Sequence, residues 1–184
     1  MHLPLTGEPV ALDLINTLGA SPDGPVDHLT TVDALRAWLR AQAHRLPQPG
    51  AGLTDADLAA VLDLREIVGP VVDHARRGAE PPAPALRALS ATDRLAPPYR
   101  TLSWEDGRMA VSVGRAGDYR STLVATLAGA AIDLLAGPIA SVRGCEGPGC
   151  RMLFLPAHPR RRWCSPELCG NRVRVARYYQ RHKV

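Results

Sequence analysis

All four cysteines of the 184-residue chain fall within its last 40 positions. They form two C-x4-C pairs, Cys145/Cys150 and Cys164/Cys169, with thirteen residues between the pairs. A tetrahedral zinc is satisfied by two thiolates from one tight turn and two more brought round by a longer connection. One C-x4-C would say little, but two that use every cysteine in the chain point to one structural Zn2+ held by four sulfurs. Two disulfides are the alternative, and they would suit a small secreted domain. The opening Met1-His2-Leu3-Pro4-Leu5 does not read as a secretory signal, and a chain of this length can build a core without covalent staples. Zinc is the preferred reading. His158, on a turn between two prolines, is not expected to add a fifth ligand to a filled site.

Charge singles out the same stretch. From Arg143 to Val184 there are ten Arg/Lys and two acids, Glu146 and Glu167, a net of +8. The whole chain carries +4, so residues 1–142 carry −4. A mildly acidic body joined to a strongly basic, cysteine-bearing tail implies a polyanionic partner for the tail. Helical phase places Arg174, Arg177 and Arg181 in one stripe, while Arg160, Arg161 and Arg162 add cations just upstream of Cys164. Arg172 falls nearer the apolar side, so it either braces the tail or touches nucleic acid.

In the body, Asp13 and Asn16 interrupt the apolar run Pro9 to Leu18, and Arg65 falls on the apolar face of a later helix. Asp13 and Arg65 are read as buried partners. Together with Asn16 they are the residues that would form a polar ligand pocket.

The elements that must position these groups are mostly helical. Thr31 caps a short amphipathic helix, and Thr54 starts a longer one that Gly69-Pro70 is expected to kink or interrupt. Ser21 to Pro25 and Gly78 to Pro84 read as loops, and Ala85 to Leu89 as a short helix. Arg100 to Trp104 and Met109 to Val113 alternate around Asp106-Gly107, a type I′ hairpin signal. Asp118 caps an Ala/Leu-rich helix that Gly137-Pro138 ends. That helix, the most apolar stretch, is too short and too close to charges to span a bilayer, so a soluble, cytoplasmic protein is expected. In the tail, a Gly/Pro knuckle at 145–150 precedes two expected strands, 151–156 and 160–164. A helix follows with Ser165 as N-cap and Pro166 at its first position. The fold class is therefore α+β, mainly α, with a helical domain over 1–138 and a treble-clef-like finger over 139–184.

Cys164-Ser165-Pro166-Glu167-Leu168-Cys169-Gly170-Asn171-Arg172, with Arg161-Arg162-Trp163 before it and Cys145-x4-Cys150 upstream, resembles the CGNR zinc finger. Ala11-Leu12-Asp13-Leu14-Ile15-Asn16-Thr17-Leu18 is similar to the opening of the ABATE domain, with weaker fits at Leu64-Arg65-Glu66 and Ala130 to Leu135. The resemblance implies a bacterial, stress-induced transcription regulator whose finger binds DNA and whose first domain senses a small molecule. One departure stands out. The family's finger commonly has an Asp-x-Ser turn after the hairpin Phe, where this chain has Phe154-Leu155-Pro156-Ala157-His158-Pro159.

The expected function is thus a zinc-dependent DNA-binding regulator whose body senses an effector or forms a homodimer. A zinc-stapled protein-interaction module is the alternative, and RNA is a variant of the first reading. An enzyme is not expected, because a four-cysteine zinc has no open position for water and no nucleophile, base and orienter set stands out.

Overall fold

The computed structural model describes residues 7–21, 24–50 and 52–182, and in the last helix not the side chains of residues 176, 177 and 179–181. Helix α1 (Val10–Ile15) is followed by two short antiparallel strands, β1 (Leu18–Ser21) and β2 (Gly24–Asp27). Helices α2 (Val32–Ala41), α3 (Asp55–Arg76) and α4 (Ala83–Asp93) come next, then a hairpin of β3 (Pro98–Glu105) and β4 (Arg108–Arg115). Helix α5 (Tyr119–Ala136) closes the body and packs on α1, α3 and α4. The tail holds β5 (Arg143–Gly144), β6 (Leu153–Phe154), a π-helical turn at Pro166–Gly170 and α6 (Asn171–Arg181). The mainly helical α+β class is as the sequence indicates.

Local chemistry explains the helix starts. The Thr31 hydroxyl accepts from the Ala34 amide at 3.1 Å, and Asp118 accepts from the Ser121 amide at 2.7 Å. Thr54 and Asp57 form a reciprocal capping box, which satisfies amides that the helix itself leaves unpaired. Asp57 also accepts from Arg120 Nε at 2.8 Å, tying the start of α3 to α5. At Asp106-Gly107, positive φ at both residues (49° and 77°) makes the tight hairpin turn expected there.

Four local expectations are corrected. Helix α3 runs without interruption through Pro70. Pro70 and Glu66 both lie on the exposed side, so the carbonyl that loses its helical partner does so at the surface, where water can serve it. Helix α4 starts earlier than expected and takes Pro84 into its first turn, where a missing N–H is harmless. Within the expected Ser21–Pro25 loop, Ser21 ends β1 and Gly24 and Pro25 begin β2, an unexpected antiparallel pair, while Pro22 and Asp23 lie outside the described residues. In the tail, Arg160–Cys164 does not form a strand. β6 pairs instead with β5, upstream of the first cysteine.

The Asp13–Arg65 pairing is also corrected. Asp13 is fully buried and ion-pairs with Arg45; it also accepts from Gln42 Nε2 at 3.0 Å and from the amides of Gly7 and Glu8. Arg65 instead forks onto Asp27 at 2.8 and 2.6 Å and donates to the Thr17 hydroxyl at 2.8 Å. Arg65 therefore pins β2 and the end of α1 to α3, which accounts for a cation on an apolar helix face.

Asn16 joins the body to the tail. Its Nδ2 donates to the Leu153 carbonyl and its Oδ1 accepts from the Leu153 amide, both at 2.8 Å. Beside it, buried Glu8 accepts from the Leu155 amide at 2.9 Å and from Arg161 at 2.6 Å. Along β6, Leu153 packs into the body core while Phe154 packs among the cysteines, as period-two alternation requires.

Two predictions follow from these contacts. Asn16→Leu leaves both backbone groups of Leu153 buried and unpaired, which costs about 2–4 kcal/mol in urea unfolding. The Arg65 fork holds the Asp27 carboxyl below its usual range, against the opposing effect of burial. That stabilisation is complete above the unfolded value of about 4 and is lost as pH falls through the lowered native value. Asp27→Asn should therefore lower the urea midpoint at neutral pH, and the gap from wild type should narrow as both proteins are acidified.

Candidate metal centre and basic groove

The knuckle, the segment before Cys164 and the π-helical turn bring the four sulfurs together. Cys145, Cys150, Cys164 and Cys169 place all four Sγ atoms within 4.8 Å of one another. Cys164 and Cys169 are buried, and Cys145 and Cys150 half-buried. A Zn–S bond of about 2.3 Å in a tetrahedron implies S···S distances of about 3.8 Å. The Cys150 and Cys164 sulfurs are 3.9 Å apart, far beyond a disulfide bond of about 2 Å. The cysteines are free thiols, and their donor set fits one zinc ion. His158 is outside the cluster; its Nδ1 accepts from the Arg160 amide at 3.1 Å.

The surroundings are arranged for thiolates. The amides of Gly147 and Cys164 both donate to the Cys145 sulfur, at 3.4 and 3.3 Å. A Cβ on Gly147 would lie 3.0 Å from the Cys169 sulfur and 3.4 Å from that of Cys145, so any side chain there would crowd two of the ligands. The hydrogen bond from Cys164 draws the Cys150 thiol down to about 5, while that same contact pushes Cys164 up and burial raises Cys145. Sulfurs so close resist sharing negative charge, and a divalent cation is what lets all four ionise together.

Arg172 bears on the same charge. Its Nη2 donates to the Cys169 sulfur at 3.0 Å, a contact that raises the guanidinium pKa above its usual value. Cys-Gly-Asn-Arg thus reads as a ligand followed three residues later by the cation that neutralises it, the spacing of neighbours on a helical turn.

The remaining predicted arginines divide. Arg160, Arg161, Arg162 and Arg174 line one groove of about 240 Å3 with Trp163, Pro166 and Gly170. Arg160 and Arg174 are exposed and have no ion pair among the described residues. Arg162 pairs with Glu146 and lies 5.7 Å from the Trp163 ring centroid. Arg161 turns inward. Besides Glu8 it donates to the carbonyls of Cys164 at 2.6 Å and Trp163 at 3.1 Å, and it stacks 4.4 Å over Phe154. The side chains of Arg177 and Arg181, on α6, lie outside the described residues.

Of the three proposed ligand-pocket residues, Arg65 lines a cleft of about 440 Å3 where the body meets β6. Asp13 and Asn16 are spent on the contacts described above. The sequence reading missed Glu8, Gly147, Trp163 and the cleft arginines Arg76, Arg77 and Arg151. Gly147 and Trp163 adjoin the cysteine motif and were within reach of it, whereas nothing local marks Glu8 as a partner of residues about 150 positions away.

Two sets of variants test the centre. Gly147→Ala should lower zinc content at matched chelator concentration, as should Cys150→Ser. Arg172→Ala should weaken zinc retention by about 10–100-fold, the usual worth of a group that supports a ligand, and Arg172→Lys should recover part of it. Competition with a colorimetric chelator reads both.

Residues 8–138 match the ABATE family, described as "Putative stress-induced transcription regulator", and residues 141–182 match the CGNR zinc finger. No curated protein matches the chain significantly. Among the described residues no helix is long and apolar enough to cross a membrane. With the ABATE match spanning most of the chain and four sulfurs gathered where the finger match falls, the chain belongs to the ABATE family and carries a zinc-binding CGNR finger.

Proposed function

We propose that this protein is a transcription regulator of bacterial cytoplasm that binds DNA through the groove beside its zinc centre. The observation that carries the reading is the convergence of Arg160, Arg162 and Arg174 around Trp163 on a surface that zinc holds rigid. Arg160 and Arg174 are exposed cations with no ion pair among the described residues, and Arg162 pairs with exposed Glu146. Phosphates take such positions, releasing counterions. Arg161 and Arg172 serve the scaffold, one clamping the finger to Glu8 and the other supporting Cys169. The zinc is structural, since four thiolates leave no coordination position for water, and no enzymatic role is assigned to it.

One small finger covers little DNA, so useful specificity requires two in a homodimer. The effector on this reading is a small anion that meets Arg151 in the cleft, whose other arginines are already paired, Arg65 with Asp27 and both Arg76 and Arg77 with Asp73. Arg151 belongs to the finger and the other three to α3, so a ligand there would bear on both parts. The second reading, a zinc-stapled interaction module, draws support from the Glu8–Arg161 contact, in which the acidic body already engages one finger cation.

Fluorescence anisotropy with a mixed-sequence duplex tests the first reading. Affinity should fall steeply with salt, and Arg160→Ala and Arg174→Ala should each weaken binding across sequences and flatten the salt slope by about one. Arg151→Glu should leave basal DNA binding intact while removing its response to metabolite anions. Binding that ignores salt, or none by the zinc-loaded protein, favours the interaction module.

A further inference from the structure

The β3–β4 hairpin has a face that no other described residue covers. Its register pairs Leu102 with Val111, Trp104 with Met109 and Arg100 with Val113, so these side chains share one face. Thr101/Ser112, Ser103/Ala110 and Glu105/Arg108 share the other, polar face. On the apolar face Leu102 is 64% exposed, Trp104 69%, Met109 55%, Val111 52% and Val113 69%. Beyond its base, where Arg115 reaches Asp93 at 2.7 Å and the Ala96 carbonyl at 2.8 Å, no other element packs extensively against the hairpin. An isolated two-stranded ribbon is marginal in water, and a solvent-exposed stripe of this size marks an interaction surface.

We propose that the apolar face of this hairpin docks on the same face of a second copy of the chain, in a two-fold pairing that runs base to tip. Three features favour a second copy over any other occupant. The face can lie against its own copy about a two-fold axis, as an isologous interface must. Five side chains at roughly 100 Å2 of exposed apolar surface each give about 500 Å2 per copy, so the pair buries about 1,000 Å2, the threshold for a specific interface. The ends are complementary in charge. Arg100 lies on the apolar face toward the base, and Asp106 lies in the turn at the tip. A base-to-tip arrangement sets each Arg100 against its partner's acidic tip and beside Trp104, where a cation over the ring adds attraction. The inference gives a surface to the homodimer of the proposed function, but it does not depend on DNA.

Sedimentation equilibrium of the zinc-loaded full-length protein, without DNA, tests it and keeps its failure separate from that of DNA binding. The wild type should be a dimer at micromolar concentration. Leu102→Glu/Val111→Glu should raise the dissociation constant by at least about a hundredfold, with helical circular dichroism and zinc content unchanged. Thr101→Glu/Ser112→Glu adds the same charge to the opposite face and should leave the dimer intact. Trp104→Ser, a single milder change, should weaken the dimer without disturbing the ribbon. A monomeric wild type, or equal loss of dimer in both double variants, overturns the proposal. So does a monomer that co-sediments with anionic phospholipid vesicles through Leu102 and Val111, which would make the face a membrane contact.

Discussion

Four sulfurs held within 4.8 Å of one another form a cluster that its own negative charge would drive apart, and only a bound cation reconciles the spacing with ionised thiols. The finger has little else to hold it. Among the described residues, the buried cluster around the metal site adds Met152 and Phe154 to Cys164 and Cys169, too few to fold a unit of this size unaided. The surrounding contacts serve the metal or depend on it. The amides of Gly147 and Cys164 face Cys145, Arg172 faces Cys169, and the inward turn of Arg161 closes the segment that carries Cys164.

The finger is also not a loose appendage. Asn16 treats Leu153 as a neighbouring strand would, exchanging both backbone bonds, and Glu8 anchors Leu155 and Arg161. Leu153 lies in the body core while the adjoining Phe154 lies against the cysteines. A change in the first helix of the body is therefore transmitted to the metal-bearing hairpin through two side chains and one strand. The cleft beside this joint is lined by arginines from both parts.

What could be read from the sequence was local. Thr31, Thr54 and Asp118 announce their helices because a cap acts within three residues, and Asp106-Gly107 announces its hairpin for the same reason. The zinc site was legible because two C-x4-C pairs permit few other arrangements. The polar residues of the body were not, because their partners are distant in sequence. Asp13 and Arg65 looked like a pair on burial alone, yet each found a closer match, Arg45 and Asp27. The missing second finger strand has a similar cause. The Arg162 carbonyl is taken by the Glu146 amide of the knuckle and the Cys164 amide by a sulfur, so metal geometry overrides the alternation of side chains.

On the proposed reading, zinc holds the finger in the form that meets DNA. A chelator titration that records zinc content, duplex binding and far-ultraviolet circular dichroism on one sample tests it directly. Zinc and DNA binding should be lost together, while most of the helical signal, which comes from α1–α5 of the body, persists. DNA binding that survives complete removal of zinc would contradict the account.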